Sequence, residues 1–186
     1  MTILNDTVLE SNKYLKLNFD GGDLSFDAGI LLIKEFVCKL GFVNILKKEF
    51  KTNDLASFRF HKDDENLRQV IYQILGAYFE DDCADELTND PILTAVLTKK
   101  SLASQPTLSR FFNRLDDTTL NQFYDLMRRF RKVVYSIKKP EMILLDLDST
   151  LLNTYGHQEG EGFNFHYQDH GYHPLVCYDG TTGDLI

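Results

Sequence analysis

Ile143-Leu-Leu-Asp-Leu-Asp-Ser-Thr-Leu-Leu152 runs straight into Asn153-Thr-Tyr-Gly-His-Gln-Glu-Gly-Glu-Gly162, and this junction decides the fold. The apolar residues predict a strand over 142–149, with two carboxylates, Asp146 and Asp148, inside it. A buried strand excludes charge, because an unpaired carboxylate in low dielectric is costly. Residues at i and i+2 share one face of a strand, so both acids can converge on one cation or phosphate. That geometry suits metal-assisted phosphoryl chemistry. Thirty-six residues follow Thr150, and from this we expect a site left incomplete within the chain.

Downstream, strands are predicted over 172–179, followed by a turn at Asp179-Gly180-Thr-Thr-Gly183 and the terminal Asp184-Leu-Ile186. Upstream the character is helical. Helical spacing of Ile30, Ile33, Phe36, Val37 and Leu40 predicts a helix over 28–40 stopped by Gly41, with a short helix over 42–50 after it. The polar stretch 51–63 reads as a loop. Leu67, Val70, Ile71, Ile74, Leu75 and Tyr78 mark another amphipathic helix, ended by Asp81-Asp82. Asn89-Asp90-Pro91 is a helix start, with Asp90 as cap and Pro91 at the first helical position. Two more helices are predicted over 107–115 and 119–137. Near the N-terminus, alternation over 14–26 around Asp20-Gly-Gly-Asp23 reads as a β-hairpin. The fold class is therefore α+β. A hairpin and helical region occupies 1–139, and the opening strands of a sheet domain occupy 140–186, jointed at Lys138-Lys139-Pro140.

At 186 residues and 43% hydrophobic content the chain can bury a sizeable core. No apolar run approaches the ~20 residues of a membrane-spanning helix, and the N-terminus lacks the basic and apolar blocks of a secretory signal. Cys38, Cys83 and Cys177 form neither a zinc spacing nor a disulfide framework. They read as buried free thiols in a reducing cytoplasm. The net charge of −8 is unevenly spread: residues 99–139 hold ten of the twenty basic residues and three acids, a local +7. Such asymmetry is the electrostatic footprint of nucleic-acid contact, which whole-chain charge hides.

Within that basic stretch, Ser104-Gln-Pro-Thr-Leu-Ser-Arg-Phe-Phe-Asn-Arg-Leu115 follows a first helix after a short linker. Two helices with a polar second member bearing Arg110 and Arg114 meet the needs of a helix-turn-helix that enters a DNA major groove. A plain helical pair with solvated arginines fits the spacing as well. Arg128, Arg129, Arg131 and Lys132 cluster on the next helix. They can grip phosphates, or simply complement a helix end. The four histidines at 157, 166, 170 and 173 lack a matched ligand set for zinc.

Leu144 to Leu152 resembles the opening motif of haloacid-dehalogenase-like phosphatases, in which Asp146 would be the nucleophile and Asp148 the acid/base. That family needs most of a doubly wound domain after this strand. The order of the whole chain resembles instead the bacterial insertion-sequence transposases of the DDE type. The hairpin and helix, the 104–115 segment, Leu144-Leu-Asp-Leu-Asp-Ser-Thr150, Tyr155-Gly-His-Gln-Glu-Gly160 and Tyr172-His-Pro-Leu-Val176 occur here in that family's sequence. The resemblance implies an N-terminal portion of such a protein: a DNA-binding helical region, then the first strands of a truncated ribonuclease H-like fold. It implies that Asp148 is the first acid of the catalytic triad and a Mg ligand, with Asp146 a strand neighbour. It implies double-stranded DNA, the terminal inverted repeats of a transposon, as partner, strand cleavage and transfer with Mg, and a possible homo-oligomer. The later acids are not found among these residues, so the chain alone is expected to be inactive. A DNA-binding remnant without catalysis is the alternative of a different class.

Overall fold

The computed structural model describes residues 7–21, 27–56, 58–80 and 82–186. The chain divides into two compact units, 1–126 and 127–186. It mixes helices and short antiparallel sheets, as the α+β expectation requires.

In the first unit, β1 (Thr7–Leu9) and β2 (Asn12–Leu17) form an antiparallel hairpin that turns at Glu10-Ser11. The hairpin predicted over 14–26 is thereby displaced: Tyr14 to Leu17 pair backwards along the chain. Its other predicted arm, 22–26, lies outside the described residues. Helix α1 (Ile30–Lys39) follows and stops at Gly41, whose φ of 70° is left-handed. The N–H of Gly41 closes on the Cys38 carbonyl, and the Gly41 carbonyl accepts from Asn44 and Ile45, opening α2 (Phe42–Glu49). Glycine suits this position because a Cβ disfavours that backbone region.

Helix α3 (Asp63–Leu75) is the polar spine of this unit, burying Asp64, Asn66, Arg68, Gln69 and Gln73 beside Leu67 and Tyr72. Its first turn carries Asp63, Asp64 and Glu65, which complement the partial positive charge of a helix N-terminus. The predicted end at Asp81-Asp82 comes earlier, at Gly76. A short helix α4 (Cys83–Glu86) and a 3-10 turn (Leu87–Asn89) lead to α5 (Pro91–Leu97). Asp90 caps α5 as the sequence indicates, its Oδ1 accepting from the Leu93 N–H at 2.7 Å. Helix α6 (Gln105–Phe112) and the long α7 (Asp117–Ile137) complete the helical run.

Two clusters build the core of this unit. Leu9, Ile30, Leu31, Tyr72, Leu87, Leu93, Val96, Leu97 and Leu102 pack the hairpin against α1, α3 and α5. Ala84, Ala103 and Leu108, with Val70 against them, seat α6 on α3 and α4. Phe50 and Phe111 are fully buried and meet edge-on at 6.2 Å, with Phe123 of α7 5.3 Å from Phe50. Each such ring contributes roughly 1.5–3 kcal/mol through burial. Two glutamines finish the packing by mimicking strand pairing. The Gln69 amide bonds both backbone groups of Ala103 at 2.8 Å. The Gln122 amide does the same for Lys51 at 2.8 and 3.0 Å.

The second unit opens on the end of α7. Strand β3 (Leu145–Ser149) pairs antiparallel with β7 (Leu175–Asp179). A separate three-stranded antiparallel sheet has the order β4 (Leu152–Asn153), β6 (Asp169–Tyr172), β5 (Gly162–Asn164). Gly171 lies in its middle strand, where an added Cβ would stand 2.4 Å from the Leu152 carbonyl oxygen, so glycine is required there by contact. The cysteines are free thiols, but Cys38 is exposed and Cys83 and Cys177 are half-buried, which corrects the expectation of burial.

Candidate functional site

Strand β3 sets the geometry of the two acids. Asp146 lies opposite Tyr178 and Asp148 opposite Val176, so both carboxylates share one face with those two side chains. Both acids are exposed. Asp148 Oδ1 accepts from the Ser149 N–H at 2.8 Å. Leu145, Leu147 and Leu175 occupy the other face and are 60–69% exposed, so the apolar side of this ribbon is bare among the described residues.

Both ends of the ribbon are pinned. At the Asp148 end, the Tyr167 hydroxyl donates to the Ser149 carbonyl at 2.8 Å, and the Tyr167 ring stacks on His173 at 5.9 Å with 4° between planes. At the far end, the Gly180 N–H donates to the Leu144 carbonyl at 2.7 Å. Asp179 closes the turn there. Its buried carboxylate accepts from the Thr181 hydroxyl at 2.6 Å and the Thr181 N–H at 2.9 Å. Those bonds, the hydroxyl's first, hold its carboxyl below the ordinary range. Tyr167 escaped the sequence reading because nothing in His166-Tyr167-Gln168 marks a side chain that returns to a strand eighteen residues upstream.

Asp146 and Asp148 are hard oxygen donors on an open strand. Mg²⁺ takes one or two carboxylates and fills its remaining positions with water and phosphate oxygens, so this donor set fits it. Among the described residues no group of three or more His, Cys, Asp or Glu side chains converges into a closed metal cage. His170 packs on Phe163, and His157 pairs with Glu161 at 3.7 Å.

The predicted DNA-contacting cations differ in what they do. Arg110 is exposed on α6, with one bond to the Thr107 hydroxyl at 3.3 Å. Ser109 and Asn113 are exposed beside it. Arg114 is engaged elsewhere: it donates to Asp63 at 3.0 Å and the Thr52 hydroxyl at 3.3 Å, and lies 3.5 Å from Asp54. It latches the 51–62 loop onto the start of α3. In the second unit Arg128, Arg129 and Lys132 are exposed on α7, whereas Arg131 donates to the Leu185 carbonyl at 2.6 Å and lines a cavity of about 230 Å³ with Met127, Phe130 and Val134. The helix pair α5–α6 is joined by seven residues, 98–104, and α6 rests on α3 and α4, so α6 is presented by a multi-helix body.

A protein-family model described as Transposase DDE domain group 1 matches residues 8–186. The chain belongs to that family, which places it among proteins of DNA transposition. No curated protein and no solved structure matches it. The phosphatase alternative is set aside on the same ground and on pairing: β3 takes an antiparallel partner, whereas a doubly wound domain surrounds its opening strand with parallel ones. Among the described residues no helix is long and apolar enough to cross a membrane.

Proposed function

We propose that the chain binds the terminal inverted repeats of a transposon as double-stranded DNA, and that its sheet belongs to a ribonuclease H-like catalytic fold in which Asp148 holds Mg. The observation that carries this reading is the presentation of Asp148 beside Asp146 on the exposed face of β3, in a chain of the DDE transposase family. A division into a DNA-binding region over 1–139 and a catalytic-fold region over 140–186 fits the same reading, as does a cytoplasmic location with access to DNA.

In this reading Asp148, with Asp146 beside it, would hold Mg, which when bound would supply positive charge for phosphate oxygens. The Tyr167 hydroxyl and the 149–150 backbone fix the strand end that carries Asp148. Arg110 on α6 contacts DNA from the first unit, and Arg128, Arg129 and Lys132 from the second. Arg114 and Arg131 hold their surroundings in place. The bare leucine face of β3 and β7 suits a contact within a homo-oligomer, since contiguous apolar patches mark association surfaces.

A second reading is occupancy of transposon ends without cutting, which needs the exposed Arg110 of α6 but not the acids of β3. One experiment separates the two. The protein is mixed with labelled transposon-end duplex and with scrambled duplex, with and without Mg²⁺. Preferential end binding together with Mg-dependent nicking that Asp148→Asn abolishes supports the catalytic reading. End binding without nicking supports occupancy. Equal, weak binding to both duplexes refutes both.

A further inference from the structure

The first unit contains a cavity of about 350 Å³ between the β1–β2 turn, α1, α3 and the end of α5, far along the chain from Asp148. Its floor is cationic. Lys34 and Arg68 both line it and are 9% and 8% exposed. Burying two cations side by side opposes folding unless each finds compensation.

Arg68 finds part of its compensation in Asp64, at 3.4 Å, and in the Asp64 carbonyl at 3.3 Å. Those bonds use Nε and Nη2. The hydrogen-bond partners of Lys34 among the described residues are neutral, the Ala95 carbonyl at 2.7 Å and the Thr98 hydroxyl at 3.4 Å, and the Glu35 carboxylate offsets part of its charge. Capping the end of α5 in this way occupies two of its three N–H groups. Burial accordingly pulls the Lys34 ammonium below its ordinary range, with Arg68 adding to the effect.

Three further residues line the cavity. Ser11 lies at the cavity wall with its N–H held by the Glu35 carboxylate at 3.0 Å, and its buried hydroxyl makes no hydrogen bond of good geometry. Thr98 is held at φ 56° and ψ 43°, a conformation β-branched residues avoid, and this turns the chain at the cavity beside Lys34. Lys47 stands exposed at the rim. The single acid lining the cavity, Glu65, is already neutralised by Lys99 at 2.5 Å. Val37, Val43 and Val96 supply an apolar wall.

We propose that this cavity binds a small molecule bearing an oxyanion, a phosphate or carboxylate on a compact, partly apolar body. The oxyanion accepts from Lys34, Arg68 and the Ser11 hydroxyl, and the body rests on the valines. The volume falls within the range of small-ligand sites. A phosphodiester of duplex DNA, tethered on both sides, cannot reach donors this deeply buried. The site is independent of the transposition reading and stands or falls separately from it.

The test is an amide NMR titration of the intact chain at constant ionic strength, with inorganic phosphate, phenyl phosphate and benzoate as separate probes. At least one probe is expected to shift Ser11, Lys34 and Thr98 in a saturable way, and the arm that binds tightest tells phosphate from carboxylate. Lys34→Met is expected to weaken that binding about tenfold or more, the loss of a charge-assisted bond. Where that variant does not fold, Lys47→Ala at the rim decides, with an expected weakening of about threefold. No saturable shift with any probe, undiminished affinity in the folded variant, or displacement of the probe by duplex DNA from the same amides would overturn the proposal.

Discussion

Replacing Gln69 with Leu removes the device that fixes the approach to α6. Gln69 and Ala103 are 2% and 0% exposed, and the amide satisfies both the N–H and the carbonyl of Ala103 at 2.8 Å. Leucine keeps most of the volume but leaves two peptide groups buried without partners. Each orphan costs about 1–3 kcal/mol, for a combined loss of about 2–6 kcal/mol. That is a large share of the roughly 5–15 kcal/mol that stabilises a domain. With a urea dependence of about 1–3 kcal/mol/M, the midpoint should fall by on the order of 1–3 M at unchanged slope. Hydrogen exchange gives the local readout: the Ala103 amide should lose protection, and α6 with it. A loss under about 0.5 kcal/mol with Ala103 still protected would show that the two bonds are replaced by water, and that α6 is seated by Leu108 and Phe111 alone.

Arg110→Ala should weaken DNA binding and lower the salt slope by about 0.9 while leaving stability within ~0.5 kcal/mol; an unchanged salt dependence in a mobility-shift series would remove Arg110 from the interface. Arg114→Ala should do the reverse in its first effect, destabilising the first unit by about 1–3 kcal/mol in a denaturant melt, because Asp63 and Asp54 lose a partly buried partner. Equal stability of that variant would mean the latch is not formed in solution. Asp179 should titrate below the ordinary carboxylate value of about 3.9. The stability it lends is fully present above that value and is lost as pH falls through its folded value. Thr181→Val removes the largest cause of the depression, so the carboxyl titration followed by NMR should move upward; an unmoved midpoint would refute the assigned bond.

Where local chemistry acts alone, the sequence was readable. Asp90-Pro91 starts α5 because a carboxylate cap and a missing N–H both suit the first turn. Gly41 ends α1 because the chain there turns left-handed. The hairpin was misplaced because β2 alternates in either direction, and the observed turn at Glu10-Ser11 carries none of the glycine or asparagine that usually marks one. The three-stranded sheet of 152–172 was unreadable because strands of two to four residues are too short to show a period. The placement of Asp146 and Asp148 on one face of a strand was legible from two acids in an apolar run. The latching role of Arg114 was not legible because its ion partners, Asp54 and Asp63, stand fifty to sixty residues upstream. The oxyanion cavity was invisible for the same reason, its donors lying at positions 11, 34 and 68.

Asp148 as a metal-holding acid on β3 is tested most directly by adding Mn²⁺, a paramagnetic substitute for Mg²⁺, to the protein with transposon-end duplex and following backbone amide line widths. The account predicts broadening that begins at residues 147–150 and spreads across to Val176, and that vanishes in Asp148→Asn. Broadening that persists unchanged in that variant, or that centres on another part of the chain, would contradict it.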